Sequence, residues 1–382
     1  MKPASPTPGS RAWVEIDLAA LDRNVGRIKA ALPRGILYVA VVKANAYGHG
    51  MPEVVARLLQ AGIDHFAVAN VEEAALLREI GPEAEILVLS PALPEEWPQA
   101  LALGLDLTLS SREEAAGLSL LAGRLGRKAR VHLKVDTGMG RAGVWHEVAG
   151  DLLTDALARP GLELRGLYTH FSNADGDPGF TAEQRRRFAK ILGLVPSTHR
   201  SGLMVHADNS SGLDTFAPDS AVNAARVGLL QYGLPPHPGS FLERIRPEPM
   251  LGFHARVVLT KDLPAGIPVS YGGTHRLTRP TRLAVVAAGY GDGIPTAASN
   301  RGQLLIRGRR CAILGRVTMD QTLVDVTDTP DVTVGDIATI VGAQGAERIT
   351  IDDFCGWADC IPWEALCSLT QRVRRVYRTD RT

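Results

Sequence analysis

Short apolar runs alternate with stretches of helical periodicity from about Trp13 to Leu242. Ile36–Val42 predicts a strand, and Pro52–Ala61 a helix with Val54, Val55, Leu58 and Leu59 on one face. His65–Ala69 predicts the next strand, followed by a helix over Val71–Ile80 that Gly81-Pro82 stops. Glu85–Leu89 leads into a helical Glu95–Leu103. Leu105–Leu109 leads into a helix opened by Ser110-Ser111 and the acidic residues Glu113 and Glu114. Further strands are predicted at Val131–Val135, Leu164–Thr169 and Leu203–Ala207, with Val227–Tyr232 as the last. Repeated strand–helix units of this kind imply parallel strands joined by right-handed crossovers. Eight units would close a TIM-like (β/α)8 barrel; a doubly wound open sheet is the alternative.

Beyond Leu234-Pro-Pro-His-Pro-Gly239 the pattern changes. Phe253–Leu259, Arg282–Ala288, Gln303–Ile306, Arg310–Ile313, Thr322–Val326 and Ile337–Val341 are short β-rich segments separated by turn residues, the mark of a mostly-β domain. The expected organisation is a barrel over residues 13–242 and a C-terminal β-domain over 243–382, with residues 1–12 as a leader.

Composition narrows the function classes. The chain has 382 residues and a formal net charge of +1, so nothing electrostatic recruits nucleic acid or an anionic membrane. No apolar run reaches transmembrane length, and Met1–Ser10 lacks the apolar segment of a signal peptide, which points to a cytoplasmic protein. Cys311, Cys355, Cys360 and Cys367 have no zinc-like spacing and are expected to be reduced and mostly buried.

The candidate chemistry lies at the ends of the predicted strands, which in a parallel barrel share one mouth. Lys43 closes the apolar run Tyr38–Val42 and precedes a polar, glycine-bearing loop containing Tyr47. A desolvated strand-end amine suits Schiff-base chemistry; a lysine snorkelling to solvent is the structural alternative. Later strands end in Lys134-Val-Asp-Thr-Gly-Met-Gly-Arg141, Tyr168-Thr-His170 and His206-Ala-Asp-Asn-Ser-Ser211, and Arg226 and Gly228 fall at the last. Singly, each is an ordinary core or rim residue. Their convergence on one mouth is what points to a site.

Ala40-Val-Val-Lys-Ala-Asn-Ala-Tyr-Gly-His-Gly50 closely resembles the cofactor-lysine signature of the alanine racemases, which use pyridoxal 5′-phosphate. The resemblance continues through His132–Arg141, Tyr168–Phe171, Asn223–Leu234, Val269-Ser-Tyr-Gly-Gly273 and Gly315-Arg-Val-Thr-Met-Asp320. It implies a cofactor-bearing barrel plus a β-domain, working as a head-to-tail homodimer that interconverts L- and D-alanine for peptidoglycan. By resemblance, Lys43 is the Schiff-base lysine and one of two catalytic bases, and Tyr271 is the other, delivered by the partner's β-domain. Arg226 matches the arginine at the pyridine nitrogen, His170 the histidine against the ring, and His206 the residue supporting Arg226. Tyr47, Asn209, Ser210, Gly228 and Leu229 match cofactor contacts, mainly to phosphate. Arg141 matches a substrate-carboxylate contact, Lys134 a lysine often carbamylated to brace it, and Met319 and Asp320 a substrate-side loop contributed across the dimer.

These residue types suit the reaction. Racemisation removes an α-proton from one face and returns one to the other, which two opposed bases accomplish. Lysine and tyrosine must each be made more acidic by about 3–4 kcal/mol to act near neutrality. Arginine at the pyridine nitrogen keeps its own proton, so the ring is a weaker electron sink and transamination is disfavoured. The chain departs from the family pattern at Gln371, where a phosphate-reaching tyrosine is usual, at Thr318, where cysteine is common, and at Asp208 and Ser211, where alanines are usual. Gln371 leaves a broad-specificity racemase as an alternative. A decarboxylase of this architecture would put glutamate in place of Arg226, a metal-dependent aldolase would need a late His/Asp site, and a non-catalytic cofactor carrier would lack the β-domain.

Overall fold

The computed structural model describes residues 10–174, 176–210, 212–215, 221–235 and 241–379. Ser211 and most of the Pro235–Gly239 boundary stretch lie outside them. The chain forms two compact units. One comprises Ala20–Ala46 and Met51–Pro249; the other comprises the described residues up to Ala19, the short Tyr47–Gly50 segment, and Met250 onward.

Strand β1 (Ala12–Asp17) belongs to the second unit. The first unit is built on β2 (Leu37–Val41), β3 (His65–Val68), β4 (Glu85–Val88), β5 (Asp106–Leu109) and β6 (Ala129–Asp136). Beyond a two-residue β7 (Val144–Trp145) come β8 (Leu162–Tyr168), β9 (Met204–His206) and β10 (Ala224–Val227). The order β5-β4-β3-β2-β10-β9-β8-β6, closed by β5–β6, is a parallel eight-stranded barrel rather than an open sheet. Local sequence explains the helix starts. Ser111 caps Arg112–Arg124 in a capping box with Glu114, and Asn70 caps Val71–Ile80 through the Glu73 N–H. Each such cap contributes about 1 kcal/mol.

Two expectations change here. The last barrel strand is Ala224–Val227, while Leu229–Tyr232 is a buried 3₁₀ turn. Its apolar character reflects burial under the barrel wall, where the Tyr232 hydroxyl donates to the Val41 carbonyl (3.0 Å). Trp13–Asp17 does not open the barrel. It pairs antiparallel with β11 (Leu251–Leu263) and parallel with the final strand β20 (Arg374–Arg378), burying Trp13, Val14 and Ile16 completely. The units accordingly divide near residues 19 and 249, not 12 and 242.

In the second unit β11 is the central strand. It pairs with β14 (Thr281–Val286) and β18 (Ile337–Gln344), while the hairpin β12 (Pro268–Val269) and β13 (His275–Arg276) forms a small separate ribbon. β15 (Gln303–Ile306), β16 (Arg309–Ala312) and β17 (Thr322–Asp325) fall at predicted β-rich segments, and β19 (Glu347–Ile349), which the sequence pattern did not indicate, pairs with β18. Leu283, Val269, Leu277 and Leu314 form a cluster beneath the β12–β13 ribbon. Among the described residues no helix is long and apolar enough to cross a membrane. Cys311 and Cys355 are buried, whereas Cys360 is half-buried and Cys367 exposed, so burial covers two of the four thiols.

Candidate active site

The barrel gathers most of the predicted residues. Successive side chains of a strand alternate faces, so Arg130, His132, Lys134 and Asp136 of β6 share one side. That side is the barrel interior, where His132 meets His206 of β9 and Arg130 meets Asp106 of β5. Toward the C-terminal mouth stand Lys134 and Asp136. The Asp136 carboxylate accepts from the N–H groups of Gly138, Met139 and Gly140, shaping the loop that presents Arg141.

Arg226, on β10, is the hub. Its guanidinium is 2 % exposed and donates to His206 Nδ1 (2.8 Å) and to the carbonyls of Thr169 and Ala207 (2.9 Å each), and lies 3.2 Å from His170 Nδ1. Burial lowers its pKa to about 10, so it remains charged near neutrality. An arginine only donates and has no lone pair with which to accept, which settles the histidine tautomers beyond it. His206 must offer a lone pair at Nδ1, so its Nε2–H donates to His132 Nδ1 (3.0 Å), and His132 carries its proton on Nε2. That proton points toward Asp106 Oδ2 at 3.6 Å, beyond hydrogen-bond length, so the attraction is electrostatic. Burial pushes the Asp106 carboxyl up, but His132 and Arg130 outweigh it and hold the carboxyl below its ordinary range. Burial, reinforced by Arg226, drives His206 and His170 well below the normal histidine range, keeping both rings neutral. The Tyr168 ring stacks on His206 (4.6 Å, 7°), and its hydroxyl contacts Thr108 at 2.6 Å. Gly166 makes room for this row: a Cβ there would lie 2.2 Å from His132 Nδ1.

Lys134 shares the same space. Burial, then the fields of Arg226 and Arg141, lower its ammonium to about 8, against the opposing pull of Asp136; Lys43 adds a smaller push. The same cations act on His170. Lys134 and Arg226 both face the Tyr168 ring, at 5.3 and 5.4 Å, and the fields of Arg141 and Lys43 reach the same groups.

Lys43 is half-buried at the end of β2. The backbone after it is unusual, because Ala44, Asn45, Ala46 and Tyr47 all lie in the left-handed region (φ 52°, 55°, 53° and 52°). Each costs about 1–2 kcal/mol relative to a right-handed residue. Side chains hold the turn. Glu73 accepts from the Ala44 and Ala69 N–H groups, and Asn45 Oδ1 accepts from the Met51 N–H (2.7 Å). Beside the mouth, Ser210 Oγ accepts from the Gly228 N–H (3.1 Å) and Asn209 Oδ1 from the Gly212 N–H (2.8 Å). Two chain ends with polar groups, 209–210 and 228–229, are thereby tied together. Leu229 is buried.

The remaining predicted residues belong to the β-domain unit. Tyr47 is buried, and its carbonyl lies 2.9 Å from His49 Nδ1. Tyr271 is 72 % exposed on the loop joining β12 and β13. Ser270 (φ 60°) has its hydroxyl bound to the Arg316 carbonyl (2.6 Å), so the tyrosine is displayed on a restrained turn. Met319 is exposed; Asp320 pairs with Arg372 at 2.9 Å. Gln371 is exposed beside that arginine.

Comparison with known proteins bears on this arrangement. Residues 16–236 match the model of the alanine racemase N-terminal domain, and residues 250–377 that of the alanine racemase C-terminal domain. The chain belongs to the alanine racemase family. It is 37% identical over 367 residues to the alanine racemase of Halothermothrix orenii, covering 96% of each chain. Alanine racemase structures superpose over nearly the whole molecule. That from Bacillus anthracis, with bound L-Ala-P, is 31% identical with a TM-score of 0.87, covering 99% of this chain and 97% of that one. That from Bartonella henselae, with covalently bound pyridoxal phosphate, is 27% identical with a TM-score of 0.86, covering 97% and 100%. Within this alanine racemase barrel, His132, Asp106 and Arg185 are the polar residues that the motif reading left without a role. His132 carried a usable signal, its two-residue spacing from Lys134. Asp106 and Arg185 carried none, because their partners lie 24 and 23 positions away.

Proposed function

We propose that the protein interconverts L- and D-alanine with pyridoxal 5′-phosphate, as a homodimer in which each site is completed by the other copy. The observation that carries this reading is the convergence of Lys43, Lys134, Arg141 and Arg226 at the barrel mouth. So many cations in a partly desolvated space call for anions. The cofactor's phosphate and phenolic oxygen and the substrate's carboxylate are three.

The residues present fit the cofactor. Lys43 offers an amine at a strand end, and Arg226 is a buried donor in place of a carboxylate. Ser210, Asn209, Gly228 and Leu229 offer hydroxyl, amide and backbone N–H groups for a phosphate, with Tyr47 as a further contact. When bound, the cofactor supplies an electron-withdrawing ring conjugated with the substrate amino group, which acidifies the α C–H bond. Lys43 Nζ would hold it covalently between turnovers and would move the α-proton on one face. Tyr271 Oη of the second copy moves the proton on the other face; its exposure on a restrained turn suits delivery to another subunit. Arg226 keeps its proton and so limits electron withdrawal. The neutral His206, backed by His132, holds Arg226 in place, and His170 would lie against the ring. Arg141 takes the substrate carboxylate, braced by Lys134 once that amine is converted to an anionic carbamate, and Met319 and Asp320 of the second copy line the substrate side. D-Alanine made this way feeds cell-wall synthesis in the cytoplasm.

The test is a panel of L- and D-amino acids on purified protein with pyridoxal 5′-phosphate, beside Lys43→Ala. L-Alanine is expected to racemise fastest, with activity abolished in the variant. Absence of alanine racemisation, or full activity in Lys43→Ala, would refute the reading. Comparable rates on larger amino acids would instead favour a broad-specificity racemase, consistent with Gln371 where the family often has tyrosine.

A further inference from the structure

Asp208 stands where an alanine is usual, directly before the Asn209-Ser210 turn, and its side chain is fully buried. A carboxylate there needs a partner. Arg185, from the helix Pro178–Gly193, supplies it: Nη2 lies 2.5 Å from Oδ1 and Nη1 lies 3.4 Å from Oδ2. The same Nη2 donates to the Gly212 carbonyl (3.2 Å), so one guanidinium holds both Asp208 and Gly212, on either side of Asn209 and Ser210. Its plane rests on the Phe171 ring (4.6 Å). The helix is itself anchored. The neighbouring Gln184, fully buried, accepts from the Ser172 N–H (3.0 Å) and donates to the His170 carbonyl and to Thr137 Oγ1. Arg185 borders a cavity of about 540 Å³ lined by Phe188, Leu192, Val205 and Val222. The Phe171 ring and the polar contacts to Asp208 and Gly212 hold it beside that cavity.

Between those two residues, Asn209 accepts from Gly212, and Ser210 accepts from Gly228. The Asp208 carbonyl accepts from the Arg226 N–H (2.9 Å), which ties the turn to the strand carrying the central arginine. We propose that Arg185 and Asp208 are a positioning pair that preorganises Asn209 and Ser210 to receive the cofactor's phosphate. The pair contributes no net charge to the site, so it acts through geometry, by holding donors in place before the anion arrives. This rests on the cofactor reading above.

The experiment compares apo-protein binding of pyridoxal 5′-phosphate with that of pyridoxal, which lacks the phosphate. Wild type, the Arg185→Met/Asp208→Ala double variant and Asp208→Asn are titrated by absorbance, with circular dichroism confirming equal folding. The double variant keeps the local net charge unchanged. It is expected to weaken pyridoxal 5′-phosphate binding about tenfold, equivalent to about 1.4 kcal/mol, while pyridoxal binding changes less than about twofold. Asp208→Asn retains an acceptor for Arg185 and is expected to show a smaller loss with the same selectivity; it decides the matter if the double variant does not fold. Equal losses for both ligands would mean a merely structural role, and no loss for either would mean no role; each outcome overturns the proposal. Failure of wild type to bind pyridoxal 5′-phosphate would overturn the cofactor reading itself.

Discussion

Replacing Lys134 with methionine should make the protein more stable near neutral pH, not less. Lys134 is 6 % exposed and sits among Arg226, Arg141 and Lys43, with burial the largest cause of its lowered pKa. Its ammonium falls from 10.5 to about 8. The unfolded chain therefore binds more protons at this residue than the folded one between pH 8 and 10.5. The Lys134 contribution to stability accordingly rises with pH across that window and is lost below it. The full difference amounts to about 3 kcal/mol against folding at pH 7. Methionine fills similar volume without the charge and removes the penalty. Urea unfolding of both proteins at pH 7 and pH 10, in buffers stripped of carbon dioxide, measures it. Methionine should gain roughly 2–3 kcal/mol over wild type at pH 7 and much less at pH 10. An unchanged difference between the two pH values would refute the argument. Carbon dioxide adds a second arm. A free amine at Lys134 attacks carbon dioxide, forming an N–C bond and releasing a proton, and the product is an anion among cations. Bicarbonate should therefore stabilise wild type and leave Lys134→Met unaffected.

Other expectations follow from the row of groups behind Arg226. Arg226→Glu should raise transamination during turnover, read as pyruvate formed per racemisation event; an unchanged ratio would count against arginine as a brake on electron withdrawal. Gly166→Ala should cost about 1–3 kcal/mol in urea unfolding, since its Cβ collides with His132 at 2.2 Å; wild-type stability would show that the row can shift without strain. Asp106→Asn can turn its amide oxygen to the His132 Nε2–H, so the tautomers that Arg226 dictates should persist. Histidine ¹⁵N spectra should still show His206 protonated at Nε2 in this variant, and an Nδ1-protonated His206 would refute the argument from Arg226.

The sequence carried the site better than the backbone that presents it. Lys134, His170, His206 and Arg226 could be placed because each ends or precedes a predicted strand, and parallel strands share a mouth. The strand of Arg226 was shifted all the same. Ala224-Ala225 is a weak strand signal, and its pairing with β2 and β9 is a long-range decision. Trp13–Asp17 was counted with the barrel region, because nothing local says that it is a strand whose partner is Leu251–Leu263. The left-handed run at Ala44–Tyr47 was invisible, since only Asn45 among these residues favours that conformation. It is imposed by Glu73, which is 29 positions from Ala44. The Arg185–Asp208 pair was half legible: Asp208 stood out against the family pattern, but its partner did not.

The central claim is that each site takes Lys43 from one copy and Tyr271 from the other. Lys43→Ala and Tyr271→Phe, each inactive alone, can be unfolded together, refolded and assayed for L-alanine racemisation. Random pairing makes half of the dimers mixed, and each mixed dimer has one intact site, so about one quarter of wild-type activity should return. Mass spectrometry of the intact assembly verifies that mixed dimers form. Mixed dimers present without recovered activity would contradict the account.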